Sequence, residues 1–140
     1  MTAEPRKLPR GPLADFLKGY AKVPSRAELQ VEREVHGINA GITSYTTRAQ
    51  ADALAQVLGL GPGVSLLDIG AGSGWPSVYL AEQTGCQAVL TDVPVDAIRT
   101  AAARAVKQGV FDTCSFAAAS GTHLPFRKSA FDVVVHTDVL

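Results

Sequence analysis

One stretch constrains this chain more than any other: "LLDIGAGSGWPSVYL", Leu66 to Leu80. A run of apolar residues passes without a break into three alternate glycines, Gly70, Gly72 and Gly74, with Asp68 just before them and Trp75 just after. Strands of parallel sheets are apolar almost throughout because both faces are covered. Three alternate glycines exceed what a tight turn requires. They allow a backbone to approach a ligand closely, at a helix amino end where exposed amides suit an anion. The stretch reads as strand, ligand loop, helix.

The chain around it keeps that rhythm. "VSLLDIG", "CQAVLTD", "TCSFAAA" and "AFDVVVHTD" read as strands. "GWPSVYLAEQTG" reads as a helix with Pro76 in its first turn and Gly85 as its stop, and "PVDAIRTAAARAVKQG" as one begun by Pro94 and stopped by Gly109. Alternating strands and helices predict parallel β-α-β units and a Rossmann-like, doubly wound, mainly parallel α/β sheet with N-terminal helices. In such sheets the ligand lies beyond the strands' carboxyl ends, where strand order reverses.

Ahead of this core, residues 1–24 carry Pro5, Pro9, Pro12 and Pro24, which suggests a loose arm with one helical turn around "LADFLKGY". Ser25 and Glu28 form a capping box for a helix that Gly37 stops, and Thr47 and Gln50 form a second box for a helix that Gly59 ends. In the second helix Ala51, Leu54, Ala55 and Leu58 make one apolar stripe. Residues 1–59 therefore read as arm and helical cap, and 60–140 as the core.

Composition narrows the partners. Apolar residues are 46% and charged residues 19%, and thirteen basic side chains balance thirteen acidic ones. No overall field would hold a polyanion, so nucleic acid is disfavoured as the main partner. No stretch approaches eighteen apolar residues, which argues against a membrane span, and the N-terminus lacks the apolar run of a secretory signal. Cys86 and Cys114 lie in apolar stretches and read as core thiols of a reducing compartment, so the chain reads as cytoplasmic. His36, His123 and His136 are scattered without ligand spacing, and no metal site is expected. Oligomeric state is not legible.

Two cofactor classes use such a glycine loop. The dinucleotide fingerprint G-x-G-x-x-G, begun at Gly70, puts Trp75 where the third glycine must let helix and strand pack closely, and indole does not fit that space. The observed pattern is D-x-G-x-G-x-G, followed by an acidic strand end at Asp92, 24 residues after Asp68. From about Val64 to Leu140 the chain resembles the class I S-adenosylmethionine-dependent methyltransferases, of the small-molecule type. The resemblance implies S-adenosyl-L-methionine as cofactor, with Gly70, Ala71, Gly72, Gly74 and Trp75 around its methionine end. Asp68 would fix the loop or receive the ammonium. Asp92 would chelate the ribose hydroxyls, having the two acceptor oxygens this needs; the plainer reading is a helix cap. Val93 would flank the adenine ring. Counting back from "LPF" at Leu124 puts Ser120 where similar proteins carry an acid or amide for the adenine amino group, a departure that leaves the Gly121 amide to serve the ring.

For the methyl acceptor, a small molecule, His136 at the end of the fourth strand is the candidate general base, against a plain hydrogen-bonded strand-end histidine; Asp138 is a second candidate of the same kind. In "ITSYTTRAQ" either Tyr45, Thr46 and Arg48 form a lid, with Arg48 reaching the cofactor carboxylate, or Thr47 is only a cap and Tyr45 only a surface ring. The family's sheet has seven strands and this sequence supplies about four. It therefore reads as the cofactor-binding half of a methyltransferase, apparently truncated at its C-terminal end, or alternatively as a catalytically incompetent remnant or binding module.

Overall fold

The computed structural model describes residues 23–37 and 44–138. The proline-rich arm through residue 22, with its expected turn at "LADFLKGY", lies outside the described residues, as do 38–43 and the last two.

Helix α1, Arg26–His36, begins at the Ser25–Glu28 capping box with both reciprocal bonds formed, and Gly37 closes it at φ 74°. Helix α2, Arg48–Val57, has the corresponding Thr47–Gln50 box. Strand β1 is Ser65–Ile69, β2 Gln87–Asp92, β3 Cys114–Ala118 and β4 Val133–Val135. Helix α3, Ser77–Thr84, joins β1 to β2, and α4, Val95–Lys107, joins β2 to β3. Pro76 and Pro94 precede the first helical residues rather than lying in the first turn. Proline lacks the amide that a helix start leaves unbonded anyway. Among the described residues no helix is long and apolar enough to cross a membrane.

The four strands form one parallel sheet in the order β3-β2-β1-β4. Order reverses at β1, so the loop after β1 sits at the switch point. The steps from β1 to β2 and β2 to β3 run the same way, so right-handed crossovers bring α3 and α4 to one face. The register puts Leu66, Ala88, Cys114 and Val133 side by side on that face, and Asp68, Leu90, Phe116 and Val135 in the next row. With Val78 and Leu80 of α3, Ala101 and Ala105 of α4 and Ala51 of α2, the apolar members of these rows form the core. Three of the four stripe residues of α2 are used as the spacing predicts: Ala51 is fully buried and Ala55 and Leu58 pack against the core; Leu54 is half-buried and faces a surface groove instead. On the opposite face Leu67 is buried, but Val134 of β4 is 53% exposed. Among the described strands β4 pairs with β1 alone.

Candidate functional site at the carboxyl edge of the sheet

The glycine loop is fastened to the end of β2. The amides of Gly70 and Ala71 both donate to the Thr91 carbonyl, at 2.8 and 2.9 Å, and the Gly74 amide donates to the Ala71 carbonyl at 2.8 Å. The Gly72 amide donates to Asp92 Oδ2 at 2.8 Å. The three glycine amides, expected from the sequence to face an anion, already have acceptors within the protein, as does the amide of Ala71. The glycines contribute shape instead. Gly74 shows why most directly: it has φ 94°, and a Cβ there would lie 2.9 Å from Val78 Cγ2 and 3.1 Å from Ala101 Cβ. It lets the start of α3 pack closely on α4.

Two acids stand beneath and beside this loop. Asp68 is 1% exposed. Its Oδ2 accepts from the Ser77 hydroxyl at 2.6 Å, while its Oδ1 is buried with no hydrogen-bond partner. Burial pushes the Asp68 carboxyl up to about 7; the Ser77 hydrogen bond opposes this and the nearby Asp92 charge adds to it. Asp92 is half-buried. Besides the Gly72 amide on Oδ2, it accepts the Val93 amide on Oδ1 at 2.7 Å. Each carboxylate oxygen therefore holds one backbone donor and keeps a second lone pair. Val93 beside it is 58% exposed.

Ser120 and Gly121 follow β3 on the same edge. The Ser120 hydroxyl is engaged locally, accepting the Thr122 amide at 3.3 Å and sharing a 2.8 Å bond with the Thr122 hydroxyl. Gly121 is exposed, and a Cβ on it would meet Ile69 Cγ2 at 3.0 Å.

Over the loop runs a strap, Ser44 to Thr46, which sequence reasoning placed only in outline. Asp138, just past β4 and left-handed at φ 58°, holds its start: Asp138 Oδ2 accepts the Ser44 hydroxyl, and the Tyr45 amide at 3.0 Å. Trp75 holds its end, its indole N–H donating to the Thr46 carbonyl at 2.8 Å. The indole is 4% exposed and stacks with Tyr79 at 5.1 Å and edge-on with His36 at 5.2 Å. Between strap and loop lies a narrow cleft of about 50 Å³, lined by Ser44, Gly70, Gly72, Trp75, Thr137 and Asp138.

The other expected residues sit elsewhere. Tyr45 belongs to the strap by its backbone, but its ring is 90% exposed. Arg48 does not reach the loop: its Nε donates to the Tyr79 hydroxyl at 3.1 Å, its guanidinium lies over the Tyr79 ring, and that hydroxyl donates to Asp52 Oδ1 at 2.5 Å. The Tyr79 hydroxyl, by its hydrogen bond and its charge, raises the Arg48 pKa, and the charge of Asp52, one turn after Arg48, adds a smaller push in the same direction. His136 is exposed and does not line the cleft; Asp138 does. A further polar joint had no sequence signal. Arg104 of α4 is buried and its Nη2 donates to the Ser73 hydroxyl at 3.4 Å. Burial lowers its pKa to about 10, against the pull of buried Glu32 on α1.

Comparison with known proteins places this edge in context. Residues 66–140 match the methyltransferase domain family. The 27-O-demethylrifamycin SV methyltransferase of Amycolatopsis mediterranei is 34% identical over 96 residues, 69% of this chain and 35% of that protein. Methyltransferase GfsG of Streptomyces halstedii is 32% identical over 81 residues, 58% of this chain and 29% of that one. The chain thus spans about a third of the length of the curated relatives it matches. Among solved structures, a SAM-dependent methyltransferase from Geobacter sulfurreducens in complex with S-adenosyl-L-homocysteine superposes with a TM-score of 0.61 at 25% identity, over 68% of this chain and 38% of that one.

Proposed function

Because this chain belongs to the S-adenosylmethionine-dependent methyltransferases, with more than half its length in the family's domain, we propose that it holds S-adenosyl-L-methionine across the carboxyl edge of its sheet for methyl transfer to a small-molecule acceptor. The cofactor, when bound, supplies an electrophilic methyl group on a sulfonium. The observation that carries the reading is Asp92: one carboxylate at the end of β2 grips the glycine loop through Gly72 and retains lone pairs for two ribose hydroxyls.

The remaining residues fit the same ligand. The unpartnered, buried Asp68 Oδ1 lacks the positive counterpart that an ammonium group provides. Gly70, Ala71 and Gly72 give a floor without side-chain bulk, Val93 offers an apolar edge to the adenine, and Ser120 and Gly121 bound its far side. Trp75 and the Tyr45 backbone support the strap, and Arg48 braces α2 against α3. A cleft of about 50 Å³ is well below the roughly 300–1,000 Å³ of small-ligand sites, so ligand entry requires the strap to swing away from the loop. Residues 60–140 supply the cofactor core and 1–59 its arm and cap. A small acceptor accords with the zero net charge and with a relative whose name specifies a rifamycin.

Calorimetric titration with S-adenosyl-L-homocysteine tests the reading. The chain should bind one equivalent, and Asp92→Ala should weaken binding by about tenfold or more, the loss of charge-assisted hydrogen bonds. A chain that circular dichroism shows to be folded but that takes up no ligand would sink it.

A further inference from the structure

Helix α1 is attached to the body of the protein more by polar side chains than by apolar surface. A surface helix ordinarily turns its apolar residues inward. Here the buried residues are Glu32 and His36, one turn apart. Leu29 is half-buried, and Val31 and Val35 are 59% and 44% exposed. The two buried side chains meet the glycine loop on either side of Gly74. His36 lies edge-on to Trp75 at 5.2 Å. The charge of Glu32 acts on the guanidinium of Arg104, whose Nη2 donates to the Ser73 hydroxyl at 3.4 Å. Glu32, Arg104 and Ser73 are all buried. Ser73 and Trp75 both line the cofactor cleft, whereas Arg104 stands behind it on α4.

Two opposite charges buried together give up hydration that their attraction only roughly restores, so their net worth to stability is small. Removing one of them is costly, because the other then stays buried without its counter-charge. Such a joint is poorly suited to strengthening the core and well suited to fixing one arrangement of the parts it connects. The parts here are the helical cap and a residue of the cofactor loop. We propose that Arg104 is a positioning residue for the cofactor: through Ser73 and Glu32 it makes docking of α1 and the ligand-holding geometry of the glycine loop one event. The inference rests on the methyltransferase reading above and adds a regulation to it. A ligand that fixes Ser73 holds Arg104 in place, and with it Glu32 and α1. Coupling of this kind is reciprocal, so a docked α1 favours the ligand by the same factor.

The test is limited trypsin proteolysis of the 140-residue protein, beside calorimetric titration with S-adenosyl-L-homocysteine. Exposed Arg33 in the last turn of α1 is the reporter, and exposed Lys107 at the end of α4 is the internal reference. Without ligand, Glu32→Gln should raise cleavage at Arg33 relative to Lys107 by about tenfold or more, because it removes the carboxylate that answers a buried guanidinium. Ser73→Ala, a change confined to the loop, should raise the same ratio about fivefold. It carries the test alone should Glu32→Gln fail to fold. Saturating S-adenosyl-L-homocysteine should lower the ratio about fivefold or more in the parent. In Ser73→Ala that protection should shrink to about twofold or less, although the ligand still binds. A joint that merely packs α1 on α4 would loosen in Glu32→Gln and leave Ser73→Ala like the parent in both respects, which would overturn the proposal. Unchanged cleavage in Glu32→Gln, or a bound ligand that gives the parent no protection, would overturn it equally. Failure of S-adenosyl-L-homocysteine to bind the parent, with both variants behaving as expected without ligand, would keep Arg104 as the link between α1 and the loop and remove the cofactor reading instead.

Discussion

The two walls of the cleft are built on different principles. The lower wall, the glycine loop, is over-determined: its amides have protein acceptors, every residue from Ala71 to Leu80 is buried, and helix packing fixes Gly74 from behind. The upper wall, the strap, is held by three hydrogen bonds, two on Asp138 and one from Trp75, and it carries a ring that is almost wholly exposed. The first wall belongs to the core and should open only with global unfolding. The second has few buried contacts, the signature of a segment that opens at low cost. A site that must admit a ligand and then grip it needs one wall of each kind.

The largest effect should come from striking the rigid wall. Gly74→Ala places a methyl group against Val78 and Ala101 at a position with φ 94°. Backbone strain and overpacking each cost about 1–3 kcal/mol, so chemical denaturation should show a loss of roughly 2–6 kcal/mol. Loop and core should melt together. A variant that keeps its stability and loses only ligand binding would show that the loop is separable from the core, and the contrast between the walls would fail.

That contrast also marks what the sequence discloses. The strands, both capping boxes, the glycine stops and the order of elements were legible, because periodicity and local hydrogen bonding decide them within a few residues. The acids at the ends of β1 and β2 were legible by position alone. What escaped depends on contacts between distant segments. Nothing near Arg48 announces that Tyr79, 31 residues on, will take it from the loop. Asp138 was ranked below His136 by its chemistry, yet the left-handed turn after β4 brings the aspartate to the strap and leaves the histidine exposed. Likewise the glycine amides were expected to be open, and only the register of β2 against β1 reveals the Thr91 carbonyl that takes two of them.

A second experiment sharpens the comparison through pH. Asp68 lies beneath the rigid wall with its carboxyl pushed up to about 7 from 3.8. Its folded form binds a proton more tightly than its unfolded form, so its contribution to stability is full below about pH 4 and is lost as pH rises to about 7. The loss should run at about 1.4 kcal/mol per pH unit between these limits. Asp68→Asn keeps an acceptor for Ser77 and removes the titration. The stability difference between variant and parent should therefore grow in the variant's favour from pH 4 to 7 and level off above. Binding of an ammonium ligand at Oδ1 would favour the ionised form, so affinity for S-adenosyl-L-methionine should rise over the same interval in the parent protein. A difference that is flat with pH would place water or another donor at Oδ1.

The smallest effect belongs to the strap, and it discriminates most finely. Trp75→Phe removes the indole N–H that holds the Thr46 carbonyl while leaving an aromatic ring against Tyr79 and His36. The lost hydrogen bond is worth about 1 kcal/mol. Trading indole for a smaller ring in the core also costs global stability, so the readout is relative: if the strap opens independently of the core, trypsin cleavage after exposed Arg48 should rise about fivefold more than cleavage at the other basic sites. Gly74→Ala would instead raise cleavage at every basic site in step with its loss of stability. Should Trp75→Phe leave cleavage at Arg48 unchanged, α2 and the strap are held by the core through Ala51 and Tyr79 rather than by the indole. The upper wall would then be as firmly built as the lower, and ligand entry would require opening of the sheet edge near Asp92 instead.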